Sequence, residues 1–165
     1  MLKMARYYHF DTTTKYKILI ASDLHDLGKL SISNVILDKP GKLTIEEFET
    51  IKMHPVVTRS CLQELSGLED ISIWAGNHHE KLDGSGYPNK LHANELDFPS
   101  RLMCCLDIYQ ALREKRPYRN AMNHINAMTV LYDMADSGQI DKQIVKDIDL
   151  VFSIPSKSSI QKSVN

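Results

Sequence analysis

Apolar residues along most of the chain recur at the spacing of an α-helix. Between residues 15 and 27 they fall on one side of a helix, and residues 99–113 contain a denser stripe of the same kind. Alternation of apolar and polar residues, which is typical of a half-buried strand, is almost absent. The pattern predicts an all-α domain with its helices packed around a polar centre.

Turn and capping residues divide this pattern into further helices. Thr44 is followed three residues later by Glu47, the arrangement of a capping box, and a helix is predicted from there to about His54. Pro55 kinks or restarts that helix. Residues 83–88 contain two glycines and a proline and are predicted to form a loop. The remaining predicted helices cover residues 56–65, 69–79, 125–135 and 142–152.

The two ends of the chain differ from its middle. Residues 1–10 have the character of the last turns of a helix without its N-cap and first turn, so we expect the domain to lack its first helix or half-helix. Residues 153–165 are polar and serine-rich and are predicted to form a disordered tail. The expected organisation is one domain over residues 1–152, long enough to bury a core, followed by that tail.

Composition excludes several classes of partner. The formal net charge of −1 gives no general attraction to DNA, RNA or an anionic membrane. No apolar run reaches the ~18–20 residues of a membrane span, and the start of the chain has no signal-peptide pattern. Cys61, Cys104 and Cys105 form no CxxC pair, and we interpret them as reduced, buried thiols. These features favour a cytoplasmic protein.

Six residues of metal-binding type are distributed over four predicted helices. Taken singly each has an ordinary explanation, because most histidines at helix ends lie on the surface and most helical aspartates form an internal hydrogen bond. Asp107 is harder to explain in this way, since it lies in the apolar run CCLDIYQAL, where an unpaired carboxylate is costly. The six candidates are His25, Asp26, His54, His78, His79 and Asp107.

Imidazole and carboxylate donors in one cluster suit iron, manganese or zinc better than a thiolate-bound metal. Such a cluster can hold more than one ion, and two ions can activate water and stabilise a transferring phosphoryl group. We interpret the remaining three histidines, His9, His92 and His124, as surface residues.

Two other segments carry side chains or amides suited to an anionic ligand. The loop DGSGYP offers backbone amides at Gly84 and Gly86 and an aromatic ring at Tyr87, although most turns of this type are plain turns. Arg116 and Arg119 flank a proline and form a fork for phosphate oxygens, although a solvated run of charge explains them equally well.

In order and spacing, these segments resemble the HD-GYP subgroup of the HD-domain phosphohydrolases, bacterial phosphodiesterases that hydrolyse cyclic di-GMP. The resemblance covers about residues 4–152 and implies an all-α HD-domain bundle. It rests on five segments: ASDLHDLGK (21–29), KMHP (52–55), HHEKLDGSGYP (78–88), RLMCCLDIYQAL (101–112) and RPYR (116–119).

The resemblance implies a role for each candidate residue. The six residues listed above would bind two or three divalent ions, iron or manganese, with Asp26 also taking part in catalysis. Lys29 would contact the scissile phosphate, and a metal-bridging hydroxide would attack phosphorus to give linear pGpG, GMP or both. The rest of the substrate would be bound by Gly86, Tyr87, Arg116 and Arg119.

Two departures from the family pattern leave alternatives open. Family members carry a further histidine about thirty residues before the His25-Asp26 pair, a position that lies before Met1, and Gln110 stands where many relatives have a second aspartate. The chain is therefore expected to be an enzyme, impaired if that ligand is lost. The alternatives are an inactive module that binds cyclic di-GMP or a signalling partner, and a hydrolase of another phosphoester, against which the GYP segment argues.

Overall fold

Helices form the regular structure of the chain in the computed structural model, which describes residues 1–115 and 120–153. Within those two ranges the only β feature is an isolated bridge between Asp83 and His92, so the all-α prediction is confirmed. No helix there is both long and apolar enough to cross a membrane. The α-helices are α1 (Leu2–Tyr7), α2 (Thr12–Leu24), α3 (Asn34–Leu37), α4 (Ile45–Lys52), α5 (His54–Gln63), α6 (Glu69–Gly76), α7 (Phe98–Arg113), α8 (His124–Asp136) and α9 (Lys142–Ser153).

The largest differences from the predicted helix ends are in α2 and α6, which each end three residues early, and both differences concern the polar centre. Helix α2 begins at Thr12 because the Asp11 carboxylate caps the amides of Thr13 and Thr14, and it ends at Leu24. A short 3₁₀ helix, Leu27–Ser31, follows it and was not predicted. Helix α6 ends at Gly76 rather than at residue 79. The His25-Asp26 and His78-His79 pairs therefore lie just beyond helix ends, where side chains can turn inward.

The capping box at Thr44 is confirmed. The Thr44 hydroxyl accepts from the Glu47 amide, and the Glu47 carboxylate accepts from the Thr44 amide. Helix α4 ends at Lys52, and α5 begins at His54 with Pro55 in its first turn, where a missing amide hydrogen costs nothing. The chain thus restarts its helix at this proline and places His54 at the junction.

The core lies between α7 and the helices around it. Leu102 and Cys105 of α7 are fully buried, and α7 packs against α6, α8 and α9. Helix α6 packs in turn against α2 and α5, with Ile71, Trp74 and Ala75 buried. The Trp74 indole N–H donates to Asp97, whose other carboxylate oxygen caps α7 at Ser100. This pair fixes the start of the helix that carries Asp107.

The first and last helices are joined by a buried carboxylate. Asp147 of α9 accepts hydrogen bonds from the hydroxyls of Tyr7 (2.9 Å) and Tyr8 (2.7 Å). In α1, Met4 and Ala5 are fully buried. Residues 1–10 therefore contain a short helix, which packs onto the domain and is connected to α9.

Two sequence interpretations need correction, and others fall outside the described ranges. Cys61 is exposed rather than buried, because it lies on the outer side of α5, whereas Cys104 and Cys105 are buried as expected. His124 is not a free surface residue, because it is half-buried and hydrogen-bonded on both ring nitrogens. Arg116 and Arg119 lie outside the described residues, as does nearly all of the predicted tail.

Candidate metal centre

All six predicted ligands meet at one point of the fold. His25 and Asp26 follow α2, His54 opens α5, His78 and His79 follow α6, and Asp107 lies in the middle of α7. Two overlapping groups could each hold an ion, because their donor atoms lie within 4.8 Å of one another. One group is His54, His78 and His79; the other is His25, Asp26 and His78.

Asp26 and Asp107 both contact these imidazoles, and each has an oxygen 3.6 Å from His25 Nε2. One Asp26 oxygen, Oδ1, lies 3.3 Å from His54 Nε2 and 3.8 Å from His78 Nε2. Asp107 contacts His25 Nε2 through Oδ1 and His79 Nδ1 through Oδ2, both at 3.6 Å. The four imidazoles and two carboxylates therefore form one continuous cluster.

Three of the histidines are oriented by their own backbone. The Nδ1 atoms of His25, His54 and His78 lie 2.7, 2.7 and 2.5 Å from a carbonyl oxygen three residues earlier. A carbonyl can only accept, so each Nδ1 carries the hydrogen and each Nε2 presents a lone pair to the cluster. A hydrogen bond of this kind typically orients a metal-bound histidine.

The cluster fits a bound cation. His54 Nε2 and His78 Nε2 are 3.2 Å apart, and with both Nδ1 atoms protonated their lone pairs face each other. In addition, Asp26 Oδ1 is buried without a donor in hydrogen-bonding geometry. Facing lone pairs and a buried acceptor without a hydrogen are costly unless a positive charge lies between them. The residues present therefore suit divalent ions held by nitrogen and oxygen.

The pKa values of the cluster favour the protonation states that metal binding needs. Burial, aided by repulsion from neighbouring imidazoles, lowers the pKa of His78 well below its usual range and that of His79 to about 3. Burial would raise the pKa of Asp26, but its contacts with His54 and Lys29 outweigh this and lower it. Burial likewise opposes a charged His25, yet the Asp107 and Asp26 carboxylates raise its pKa. His78 and His79 are thus neutral and Asp26 is ionised at neutral pH.

Lys29 lies at the edge of this centre. Its Nζ donates to Asp26 Oδ2 at 2.7 Å, on the carboxylate oxygen that does not face His54. The 3₁₀ helix carrying Lys29 packs directly on α5, since a Cβ at Gly28 would come within 2.0 Å of the His54 carbonyl oxygen. The Thr58 hydroxyl accepts from the Gly28 amide and donates to the His25 carbonyl. Gly28 and Thr58 therefore hold Lys29 and His25 in fixed positions.

The GYP loop covers another side of the centre. The Tyr87 ring lies 4.7 Å from the His79 ring, and the Tyr87 amide donates to the His79 carbonyl. Gly86 is buried so tightly that a Cβ there would come within 2.4 Å of the Lys81 nitrogen. Glu80 is also buried, and its carboxylate accepts from the amides of Asn89 and Leu91. The loop is thus fixed at its base and presents Tyr87 to the metal cluster.

The sequence interpretation gave no role to Glu80 or Thr58. The available signal for Glu80 was its position in the sequence, directly after His78 and His79 and before a loop rich in glycine. Thr58 carried no comparable signal, because a threonine in a helix is common. Gln110, the departure from the family pattern, donates from its side-chain amide to Glu114, the residue just after α7.

Comparison with known proteins agrees with this geometry. The family model described as HD domain matches residues 1–144. The chain is similar to the 3′3′-cGAMP-specific phosphodiesterase 1 of Vibrio cholerae, with 42% identity over 73% of this chain and 28% of that protein. It is also similar to the cyclic di-GMP phosphodiesterase response regulator RpfG of Xanthomonas campestris, with 38% identity over 70% of this chain and 31% of that protein.

A cyclic di-GMP phosphodiesterase of Pseudomonas aeruginosa is 30% identical over 88% of the chain and 35% of its own length. The chain thus spans about a quarter to a third of the length of these curated relatives. The residues matched by the family model, 1–144, include all six metal-type residues and the GYP loop described above. The chain belongs to the HD-domain family, in its HD-GYP subgroup.

Proposed function

We propose that this chain is a metal-dependent phosphodiesterase that hydrolyses cyclic di-GMP. The observation that carries the proposal is the meeting of six nitrogen and oxygen ligands beside the ammonium of Lys29. The relatives are named as phosphodiesterases of cyclic di-GMP or 3′3′-cGAMP, which supports a cyclic dinucleotide as the substrate class.

The proposed roles follow from the positions of the side chains. The six clustered residues would hold two or three divalent ions, iron or manganese, which when bound supply an activated water and neutralise phosphate charge. Asp26 has one oxygen toward His54 and the other on Lys29, so it would couple the metal position to that of the lysine. Lys29 would then shift its hydrogen bond from Asp26 to a phosphate oxygen as negative charge develops on that oxygen.

The remaining assignments concern the rest of the substrate. Tyr87 and Gly86 would form the side of the site next to His79, and Arg116 and Arg119 would bind the second phosphate. The proposed product is linear pGpG, GMP or both. The proposed setting is the cytoplasm, with signalling proteins as further partners and no DNA or RNA ligand.

The test is hydrolysis of cyclic di-GMP by purified chain loaded with Mn²⁺ or Fe²⁺, followed by chromatography of the products and by metal analysis of the protein. Activity should depend on added metal and fall at least ~10²-fold in Lys29→Ala, the scale of losing one positioned charge in the transition state. Lys15→Ala removes a lysine far from the cluster and should leave activity unchanged.

Two results would overturn the proposal. If the chain binds cyclic di-GMP but forms no product at any metal loading, it is a binding module rather than an enzyme. If it binds neither metal nor cyclic dinucleotide, the clustered histidines have a structural role only.

A further inference from the structure

An open cleft of about 490 Å³ lies between α4 and the GYP loop, next to the metal centre. Phe48 and Lys52 of α4 line one side, and Gly86 and Tyr87 line the other. Tyr87 connects the cleft to the metal ligands, because its ring also lies 4.7 Å from the His79 ring. A ligand bound through phosphate at Lys29 and the metal cluster would therefore have this cleft within reach.

The cleft presents an exposed aromatic face. Phe48 is 46% exposed, and its ring meets the Tyr87 ring edge to face at a centroid distance of 6.4 Å. The Lys52 ammonium lies 5.1 Å from the Phe48 centroid. Base stacking on exposed aromatic rings is a common way to bind nucleotides.

Two side chains of opposite charge stand together at the rim of this cleft. Glu49 and Lys52 both line it, and the Lys52 ammonium donates to a Glu49 carboxylate oxygen at 2.5 Å. Glu49 is exposed, so neither carboxylate oxygen is committed to the protein core. The rim therefore offers a two-oxygen acceptor beside a strong donor.

We propose that this cleft binds a guanine base of the substrate, with Phe48 as its stacking surface and Glu49 and Lys52 as the groups that recognise its polar edge. Guanine carries two adjacent donors, N1–H and the N2 amino group, beside the acceptor O6. One carboxylate can accept from both donors while a neighbouring ammonium donates to O6. Adenine has only one donor on this edge, so the same pair favours guanine. The inference rests on the proposed function and adds its base specificity.

The stacking part is tested with variants of Phe48 in the full, Mn²⁺-loaded chain. The probe is the slowly hydrolysed phosphorothioate analogue of cyclic di-GMP, with affinity measured by calorimetry and kcat/KM measured on cyclic di-GMP itself. Phe48→Leu should weaken affinity about 5- to 150-fold, the loss of one stacked base. Phe48→Tyr keeps the ring and should retain affinity within about twofold.

The recognition part is tested by comparing the cyclic di-GMP and cyclic di-AMP analogues. Glu49→Gln should reduce the preference for guanine about tenfold, because the amide replaces one acceptor by a donor. Glu64→Gln, at an exposed carboxylate just after α5 and outside the cleft, is the matched control and should leave the preference unchanged.

The outcomes separate this inference from the proposed function. If the wild-type chain binds and hydrolyses cyclic di-GMP while Phe48→Leu and Glu49→Gln behave like wild type, the guanine site is wrong and the phosphodiesterase proposal stands. If the wild-type chain neither binds nor hydrolyses a cyclic dinucleotide, both are wrong. Circular dichroism of each variant checks that a lost affinity is not a lost fold.

Discussion

Three histidines of the cluster are oriented by hydrogen bonds to backbone carbonyls that are close to them in sequence. His25, His54 and His78 each bond through Nδ1 to a carbonyl only three residues away, and this fixes the direction of Nε2. Asp26 is different, because its position depends on contacts with Lys29 and with His54 on another helix. A change at Asp26 therefore tests the assembled cluster rather than one loop.

Asp26→Asn should weaken metal binding. The amide keeps the size of the carboxylate but removes the charge between His54 and His78. Loss of an outer partner alone typically costs ~10–100-fold in metal affinity, so loss of this central carboxylate should cost at least that much. The measurement is competition against a metal-binding dye. His92→Gln, at an exposed histidine outside the cluster, should keep the wild-type affinity, and an unchanged affinity in Asp26→Asn would exclude this residue as a ligand.

Metal affinity should rise with pH in a window set by His25. The raised pKa of His25 in the folded protein means that its protonated form adds stability below the unfolded value of 6.5, and this stability is lost as pH rises through the folded pKa. A metal needs the neutral imidazole, so protons compete with it in that same window. His78 and His79, with lowered pKa values, do not add to this competition.

The measurement for His25 is metal affinity at pH values of about 6, 7 and 8, with metal-free thermal stability recorded alongside. Affinity should increase across the series. The stability that His25 adds to the metal-free protein, measured as the difference between the wild type and His25→Gln, should decrease over the same range, whereas the lowered pKa values of His78 and His79 make the total metal-free stability rise with pH. In His25→Gln the pH dependence of metal affinity should flatten, and a wild-type slope in that variant would assign it to another group.

At the scale of elements, most of the longer helices were predictable, whereas the ends of α2 and α6 and the short helices Leu27–Ser31 and α3 were not. Helical periodicity and the capping box predicted α4, α7, α8 and α9 closely, because these signals are local. The ends of α2 and α6 were predicted too far along, since histidine and aspartate are compatible with either a helix or a loop. Those ends are set by tertiary contacts, such as the packing of Gly28 on the His54 carbonyl, which sequence periodicity does not contain.

The candidate site was likewise predictable in one part and not in another. The six metal-type residues were identifiable from spacing and from the family resemblance. The residues that hold this cluster in place were not identifiable. Thr58 bonds the His25 carbonyl, which is distant in sequence, and the buried Glu80 bonds a backbone amide in a loop. His124 was misjudged for a similar reason: its partners, Tyr109 and Asp149, lie on two other helices.

Gly86→Ala should distort the GYP loop. A Cβ at this position would overlap backbone atoms of residues 79–81, which cannot move without displacing His79. Overpacking of this kind costs ~1–3 kcal/mol, so the melting temperature and kcat/KM should both fall. Asn89→Ala in the same loop removes only a side chain, because its hydrogen bond to Glu80 comes from the backbone. Equal behaviour of the two variants would show that the loop tolerates the added carbon.

At the scale of the whole molecule, two carboxylates, the buried Asp147 and the half-buried Asp149, connect α9 to other helices. Asp147 accepts from the hydroxyls of Tyr7 and Tyr8. Asp149 accepts from His124 (2.9 Å) and from the Tyr132 hydroxyl (3.0 Å). Both lie on α9, which therefore holds α1 on one side and α8 on the other.

Asp147→Asn should lower the free energy of unfolding of the whole domain. Hydrogen bonds to a charged acceptor are worth ~1.5–3 kcal/mol, and the substitution leaves two tyrosine hydroxyls on a weaker, partly mismatched partner. Urea unfolding should give a lower midpoint with an unchanged slope. Asp133→Asn, at an exposed position on α8, is the matched control. A wild-type midpoint in Asp147→Asn would mean that this connection adds nothing to stability.

The carbonyls that bind the three Nδ1 hydrogens have a further consequence, because they belong to the last turns of α2, α4 and α6. Each helix end carries roughly half a negative charge, so three backbone dipoles converge on the cluster and attract a cation independently of the carboxylates. Each histidine side chain also donates a hydrogen bond to the end of the helix before it. Replacing one of them therefore removes a proposed ligand together with that hydrogen bond, and it should destabilise even the metal-free protein.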